Sequence, residues 1–219
     1  AEVDYYTDAI TYTKVKILDV FAEEARAQAR RSHGEVHVTS QVVGFKKIKF
    51  WTNENVGAGD LTMPENEMHT TSYWLTVPRE VMRALPVGLE ERRDGVVALG
   101  YTLGQLACLY LMCDRHDLGV ALGDNGQGEA RLERGLTRLG AGRRGEAAEA
   151  ISPDYEPNIF IYDNYPGGIG LSEPLYRLHD RLLREARGLI SACACSDGCP
   201  SCVGPAGEVG SRGKEVALL

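Results

Sequence analysis

Between residues 193 and 202 the chain reads Cys193-Ala-Cys195-Ser-Asp-Gly-Cys199-Pro-Ser-Cys202, four thiols in ten residues. Zinc takes four soft ligands in a tetrahedron, with Zn–S arms of about 2.3 Å, and a run this compact leaves little room for other ligands. Cys199-x-x-Cys202 with Pro200 predicts a tight metal-binding turn, and Gly198 supplies the backbone reversal before it. Structural zinc is the favoured reading, with an iron–sulfur cluster and redox or disulfide pairing as alternatives. Disulfides need an oxidising compartment, and nothing in the sequence implies secretion, so the expected location is the cytoplasm. Cys108 and Cys113 fall in an apolar run and read as small buried hydrophobes.

The rest of the composition bounds what surrounds this knot. With 219 residues and 43% hydrophobic content, the chain can bury one sizeable core or two small ones. Six Cys are too few for a disulfide scaffold. A formal net charge of -7 excludes a histone-type nucleic-acid binder, so any nucleic-acid contact must come from a local basic patch. The chain begins at Ala1 with no signal peptide and reads as a processed product or an excised piece of something larger. Val96 to Cys113 carries no charge, yet Gly100, Thr102, Gly104 and Gln105 interrupt it and Asp114-Arg-His-Asp117 ends it. That predicts a buried core helix and no membrane partner.

The periodicity predicts an α+β fold: an antiparallel sheet region over 1–77, then a helical region over 78–219 holding the zinc site. Tyr12–Leu18, Glu35–Val43, part of Phe45–Trp51 and His69–Val77 alternate as strands, for a sheet of three to five. Phe21–Arg31 reads as a short helix or a charged hairpin loop, and Gly57–Asp60 as a turn. Arg79–Leu85 and Gly95–Cys113 read as helices, Asn158–Tyr162 as a buried strand. Leu171, Leu175, Leu178, Leu182, Ala186 and Leu189 mark one face of an amphipathic helix that Ser172 can cap. Residues 123–150, rich in Gly and Arg (Arg131, Arg134, Arg138, Arg143, Arg144), read as a loop or flexible arm. The predicted core joins Leu103, Leu106, Cys108 and Leu111 to Ile159 and Ile161, with Leu175, Leu178 and Leu182 nearby.

Three further segments carry polar chemistry. Tyr165-Pro-Gly-Gly-Ile-Gly170 lies between a strand and a helix, but its spacing matches neither a phosphate loop nor a dinucleotide fingerprint, so close backbone packing is favoured. Asp163 either holds that turn or stands as a lone acid. Asp114-Arg-His-Asp117 caps its helix and pins the next loop, or else places His116 near a ligand. Phe45-Lys46-Lys47-Ile48-Lys49-Phe50-Trp51 interleaves cations with aromatics, which suits single-stranded nucleic acid, although a solvated Lys face over a buried aromatic face is the plainer alternative. In a regular strand Lys47 and Lys49 share one face while Lys46 joins Ile48 and Phe50 on the other, so Lys46 is the weakest of the three candidates.

Val43-Gly-Phe-Lys-Lys-Ile-Lys-Phe50, Met68-His-Thr-Thr-Ser-Tyr-Trp74, Cys113-Asp-Arg-His-Asp-Leu-Gly119, Phe160–Gly170 and the four-Cys run together resemble the C-terminal region of the mitomycin repair factor A helicases. These are superfamily 2 DNA repair helicases, similar to the fungal RecQ-four-like enzymes. The resemblance runs from about Tyr5 to Leu219 and implies a zinc-binding domain that follows two motor domains. It makes Cys193, Cys195, Cys199 and Cys202 the metal ligands. The parent's ATP-driven 3′→5′ unwinding is not expected of this chain alone, since it has no Walker A loop and no Asp-Glu-x-Asp/His box. The implied partners are the motor domains of the parent chain and DNA, single-stranded by expectation. A similar domain accompanies a helicase in a phage-defence system, which keeps a protein-interaction module as the alternative.

Overall fold

The computed structural model describes residues 4–26, 28–52, 54–124, 130–134 (backbone alone), 155–204 and 209–219. Seven strands form one antiparallel sheet: β1 Tyr5–Ala25, β2 Arg30–Lys49, β3 Asn55–Asp60, β4 Asn66–Thr76, β5 Leu118–Asp124, β6 Ala130–Arg134 and β7 Pro157–Asp163. Their order is β5-β7-β4-β2-β1-β6, with β3 pairing the far end of β2. The helices are α1 Arg79–Ala84, α2 Leu89–Leu111, α3 Ser172–Ala192 and a short α4 Gly213–Val216. An antiparallel sheet combined with helices and a C-terminal cysteine cluster is the α+β arrangement the sequence predicts.

The sheet has more strands than the three to five expected, because β7 and β5 come from beyond Pro78, β7 pairing onto β4 and β5 onto β7. Such long-range pairing leaves no local mark in a sequence. Phe21–Arg31 is a β-hairpin and not a helix: β1 and β2 pair up to Ala25↔Arg30, and the Arg26 N–H donates to Ala29 O at 2.8 Å. Gly57–Asp60 is a strand and not a turn, since β2 offers it an edge from Gly44 to Ile48. Of the segment read as an arm, Gly123–Asp124 end β5 and Ala130–Arg134 pair with β1; the rest, with Arg138, Arg143 and Arg144, lies outside the described residues.

Alternation sorts the sheet's two faces. Val15, Val36, Val38, Trp74, Ala121, Phe160 and Tyr162 cluster on one face. The sheet curls around this cluster until β6 comes alongside β5, so the cluster fills a barrel-like interior. The opposite face of β4 and β7, through Tyr73, Leu75, Ile159 and Ile161, packs on α2 and α3. Leu103, Leu106, Leu175 and Leu182 are buried there as expected. Cys108, Leu111 and Leu178 are half-buried at its rim. The Tyr73 hydroxyl and the His179 ring nitrogen Nδ1 lie 2.7 Å apart across this layer. Burial holds the imidazole's pKa below its ordinary value.

Past Ser40↔Asn66, where β4 ends, β2 continues with only β1 and β3 beside it. This three-stranded finger carries Lys46, Lys47 and Lys49 and ends in the turn at Phe50–Thr52. The long apolar α2 meets the length and composition test for crossing a membrane. Here it is a core helix: Ala98, Leu103 and Ala107 are fully buried.

Candidate metal centre and hairpin tip

Helix α3 ends at Ala192, and the chain turns straight into the cysteine run. The Cys199 carbonyl accepts the N–H groups of Cys202 (3.0 Å) and Gly204 (3.1 Å), closing the turn that the Cys-Pro-Ser-Cys spacing predicts. Gly198 sits at φ +118°, and a Cβ there would lie 2.7 Å from Val203, so both the backbone and the space require glycine. The sulfurs of Cys193, Cys195, Cys199 and Cys202 all lie within 4.8 Å of one another. Four of their separations are 3.5–3.6 Å. A tetrahedron with 2.3 Å arms has edges of about 3.8 Å, so the quartet is the right size for one zinc ion. A disulfide would bring two sulfurs to about 2.05 Å; all six cysteines are free thiols. The space also suits one ion better than a cluster of several irons.

Polar groups outside the run fix its backbone. Three come from α2, two of them polar interruptions of its apolar run. Tyr101 Oη and Gln105 Nε2 donate to Pro200 O at 3.1 and 2.9 Å, and the Thr102 hydroxyl reaches Cys202 O at 3.0 Å. A fourth, Lys214 of α4, lies beyond anything the sequence pattern singles out. Its Nζ donates to Cys193 O at 2.7 Å, to Cys195 O, and to Cys195 Sγ at 3.4 Å. Burial works against ionisation of Cys195, yet hydrogen bonds from Cys202, Cys193, Cys199 and Lys214 outweigh it and bring this thiol down to about 7. Burial pushes Cys202 up to about 12. Behind the sulfurs, Ala98, Ile190, Val203 and Val209 form a separate apolar cluster that joins α2 and α3 to the knot.

A zinc held by four thiolates carries net negative charge, which a lysine bonded to one sulfur and two adjacent carbonyls offsets. Lys214→Ala should therefore speed zinc release to a chelator by roughly tenfold or more. A colourimetric zinc-release assay reads this directly; release as slow as in the unaltered chain counts against it.

Asp163 and the Asp114–Asp117 cluster have structural partners. Asp163 is fully buried. Its Oδ2 accepts the N–H groups of Ile169 (2.7 Å), Gly170 (2.8 Å) and Leu171 (3.1 Å), and the Thr71 hydroxyl at 3.3 Å. It thus holds the glycine turn and occupies the start of α3, the role expected of Ser172. Ser172 is the first residue of the helix, and its buried hydroxyl has no hydrogen-bond partner among the described residues. Gly168, at φ +73°, packs where a Cβ would come 2.4 Å from Thr71 Oγ1. The turn is close packing around a carboxylate, and its N–H groups are already taken. Asp114–Asp117 pins the neighbouring loop: Tyr165 Oη donates to Asp117 at 2.7 Å, and Asn164 Nδ2 to His116 O at 3.0 Å.

At the finger, Lys46 is only 8% exposed and lies opposite Asp8. Lys47 holds its ammonium 5.1 Å from the Tyr5 ring centroid, and Lys49 is exposed. Phe45 packs its ring against Gly59, where a Cβ would come 2.7 Å from it, and is not a free ring. The Tyr6 and Phe50 rings pair at 5.5 Å on the face opposite Lys47 and Lys49.

Residues 99–203 match the family described as the MrfA Zn-binding domain. Over 217 residues the chain is 32% identical to the ATP-dependent helicase YprA of Bacillus subtilis (strain 168), covering 99% of this chain and 25% of that protein. It superposes on the crystal structure of the DUF1998 helicase MrfA bound to DNA with a TM-score of 0.63 and 31% identity, over 100% of this chain and 25% of the other. A second crystal structure of that helicase gives a TM-score of 0.59 at 24% identity, over 96% and 24%, and shows the shared fold. The chain spans about a quarter of the length of these relatives. Zinc is the cofactor that both the family and the sulfur quartet require. The segment that matches the MrfA Zn-binding domain takes in the later part of α2, β5, β7, α3 and the cysteine run, and along its whole length the chain is similar to helicases of the MrfA and YprA kind.

Proposed function

We propose that the chain is the zinc-bound accessory domain of a cytoplasmic, ATP-dependent 3′–5′ DNA repair helicase. In this reading it braces the motor domains of the parent chain and guides single-stranded DNA, and it performs no chemistry of its own. The zinc is held by Cys193, Cys195, Cys199 and Cys202. The observation that carries the reading is the closed sulfur quartet. Four thiolates fill a tetrahedron and leave no position for water or substrate, which is the mark of a structural and not a catalytic zinc. The DNA part of the reading draws on the relative solved with DNA and on Lys47 and Lys49 at the finger, with Lys46 set back by burial.

The test is a fluorescence-anisotropy titration of labelled single-stranded DNA at low salt, with the Lys47→Glu/Lys49→Glu chain beside the unaltered one. Two phosphate contacts on a single strand contribute about -1.4 to the slope of log K against log salt. The double substitution should remove that much of the slope and weaken binding several-fold. Equal affinity in the two proteins takes the lysines out of the site. No binding in either favours a protein-interaction module.

A further inference from the structure

Trp51 stands at the end of the finger, 99% exposed, with φ at +71°. That is the left-handed region, costly for a bulky side chain and otherwise the habit of glycine and asparagine. Among the described large hydrophobics no other is so exposed, Met112 at 91% being the next. The chain's other tryptophan, Trp74, is 2% exposed inside the barrel. A surface that only needed a turn here has no use for an indole held out in water at a strained backbone position.

The charges around Trp51 narrow what it is for. The Phe50 N–H donates to Asp4 O at 3.0 Å and the Lys49 N–H to Glu54 O at 2.8 Å, so Asp4 and Glu54 flank the tip. Asp8 lies opposite Lys46. Lys46, Lys47 and Lys49 therefore leave no positive surplus at this end of the finger, and phosphate attraction there is weak. Base stacking is indifferent to that balance, because every unpaired base offers a π-face.

We propose that Trp51 is a stacking platform for an unpaired base and sets the preference of this surface for single-stranded over duplex DNA. In a duplex the bases are already stacked on one another and cannot reach an indole at a hairpin tip. Lys47 and Lys49, one to two turns of the pleat behind, take the neighbouring phosphates. This deepens the DNA-guiding reading above and rests on it.

Three 15-mers of equal charge per strand separate the possibilities: oligo-dT, an abasic strand with the same backbone, and a duplex. Trp51→Asn is the informative variant, since asparagine tolerates a left-handed φ and the indole it removes is exposed. Trp51→Phe keeps a ring. For the unaltered chain, oligo-dT should quench tryptophan emission, while the abasic strand and the duplex leave it unchanged. Trp51→Asn should weaken oligo-dT binding by roughly tenfold, abolish the quench and leave abasic binding as it was. Trp51→Phe should retain most of the affinity. Oligo-dT and abasic strands binding equally, with no change in emission, overturn the stacking role and leave the lysine contacts standing. Unchanged oligo-dT affinity in Trp51→Asn also overturns it and assigns the indole to a protein contact. No binding of any strand overturns the DNA-guiding reading together with this one.

Discussion

Cys199→Ser should lower bound zinc from about one ion per chain to a small fraction of that and loosen the C-terminal segment from Cys193 onward. Serine is a hard, weakly acidic ligand, and the metal's binding energy is folding energy for the elements it joins, about 10–16 kcal/mol for structural zinc in small zinc modules. The turn from Cys199 to Gly204 depends on the Cys199 carbonyl, and α2 is tied to that turn through Tyr101, Thr102 and Gln105. The loss should therefore extend to α2 and α3, whose ends meet in the Ala98, Ile190, Cys202 and Val203 cluster. Cys108→Ser, outside the quartet, serves as the control and should keep its zinc. Elemental analysis of freshly purified protein with limited proteolysis decides the matter. Normal zinc content and an intact C-terminal segment in Cys199→Ser would remove Cys199 from the ligand set.

The second large effect is expected at Asp163, far from the metal in sequence and structural in role. Asp163→Ala leaves the N–H groups of Ile169, Gly170 and Leu171 without their acceptor, at the start of a 21-residue helix. At about 1 kcal/mol or more for each abandoned donor, the chain loses roughly 3 kcal/mol. For a domain of this size that lowers the melting temperature by about 6–12 °C. Asp163→Asn keeps a carbonyl oxygen for the three donors and should cost less than half as much. Calorimetry on the two variants tests this ranking. An alanine variant melting within about 2 °C of the unaltered chain would show that water replaces the carboxylate there.

The metal site was legible in the sequence because its ligands are neighbours. Ten residues contain the whole quartet, and the Cys-x-x-Cys turn fixes its own geometry. Its supports were not legible for the opposite reason. Lys214 lies 12 residues past Cys202, and nothing in its surroundings marks it. Thr102 and Gln105 stood out as polar interruptions of an apolar helix, but only the folded chain shows that they face the cysteine turn. Phe21–Arg31 and Gly57–Asp60 were misread or left open because partner strands override local composition: β2 holds both as strands by pairing along its full length. Asp163 was readable as a turn-holder from its place before the glycines, but not as the acceptor at the start of α3, since that role comes from the loop folding back on itself.

The length of β2 sets a distance within the molecule. Its 20 residues, at about 3.3 Å each, trace roughly 65 Å of strand. At one end Arg31 stacks on Tyr176 of α3, with its guanidinium carbon 4.9 Å from the ring centroid, and the adjoining turn places Arg26 2.9 Å from Asp180. At the other end stands Trp51. Register shifts between Ile10 and Thr11, Ile17 and Asp19, and Val20 and Ala22 bend the β1–β2 ribbon without breaking its ladder. The hairpin is thus a spacer of set length, seated on the helical layer at one end. The ribbon sets the tip apart from α3, and from the cysteine run that follows α3, by its own length.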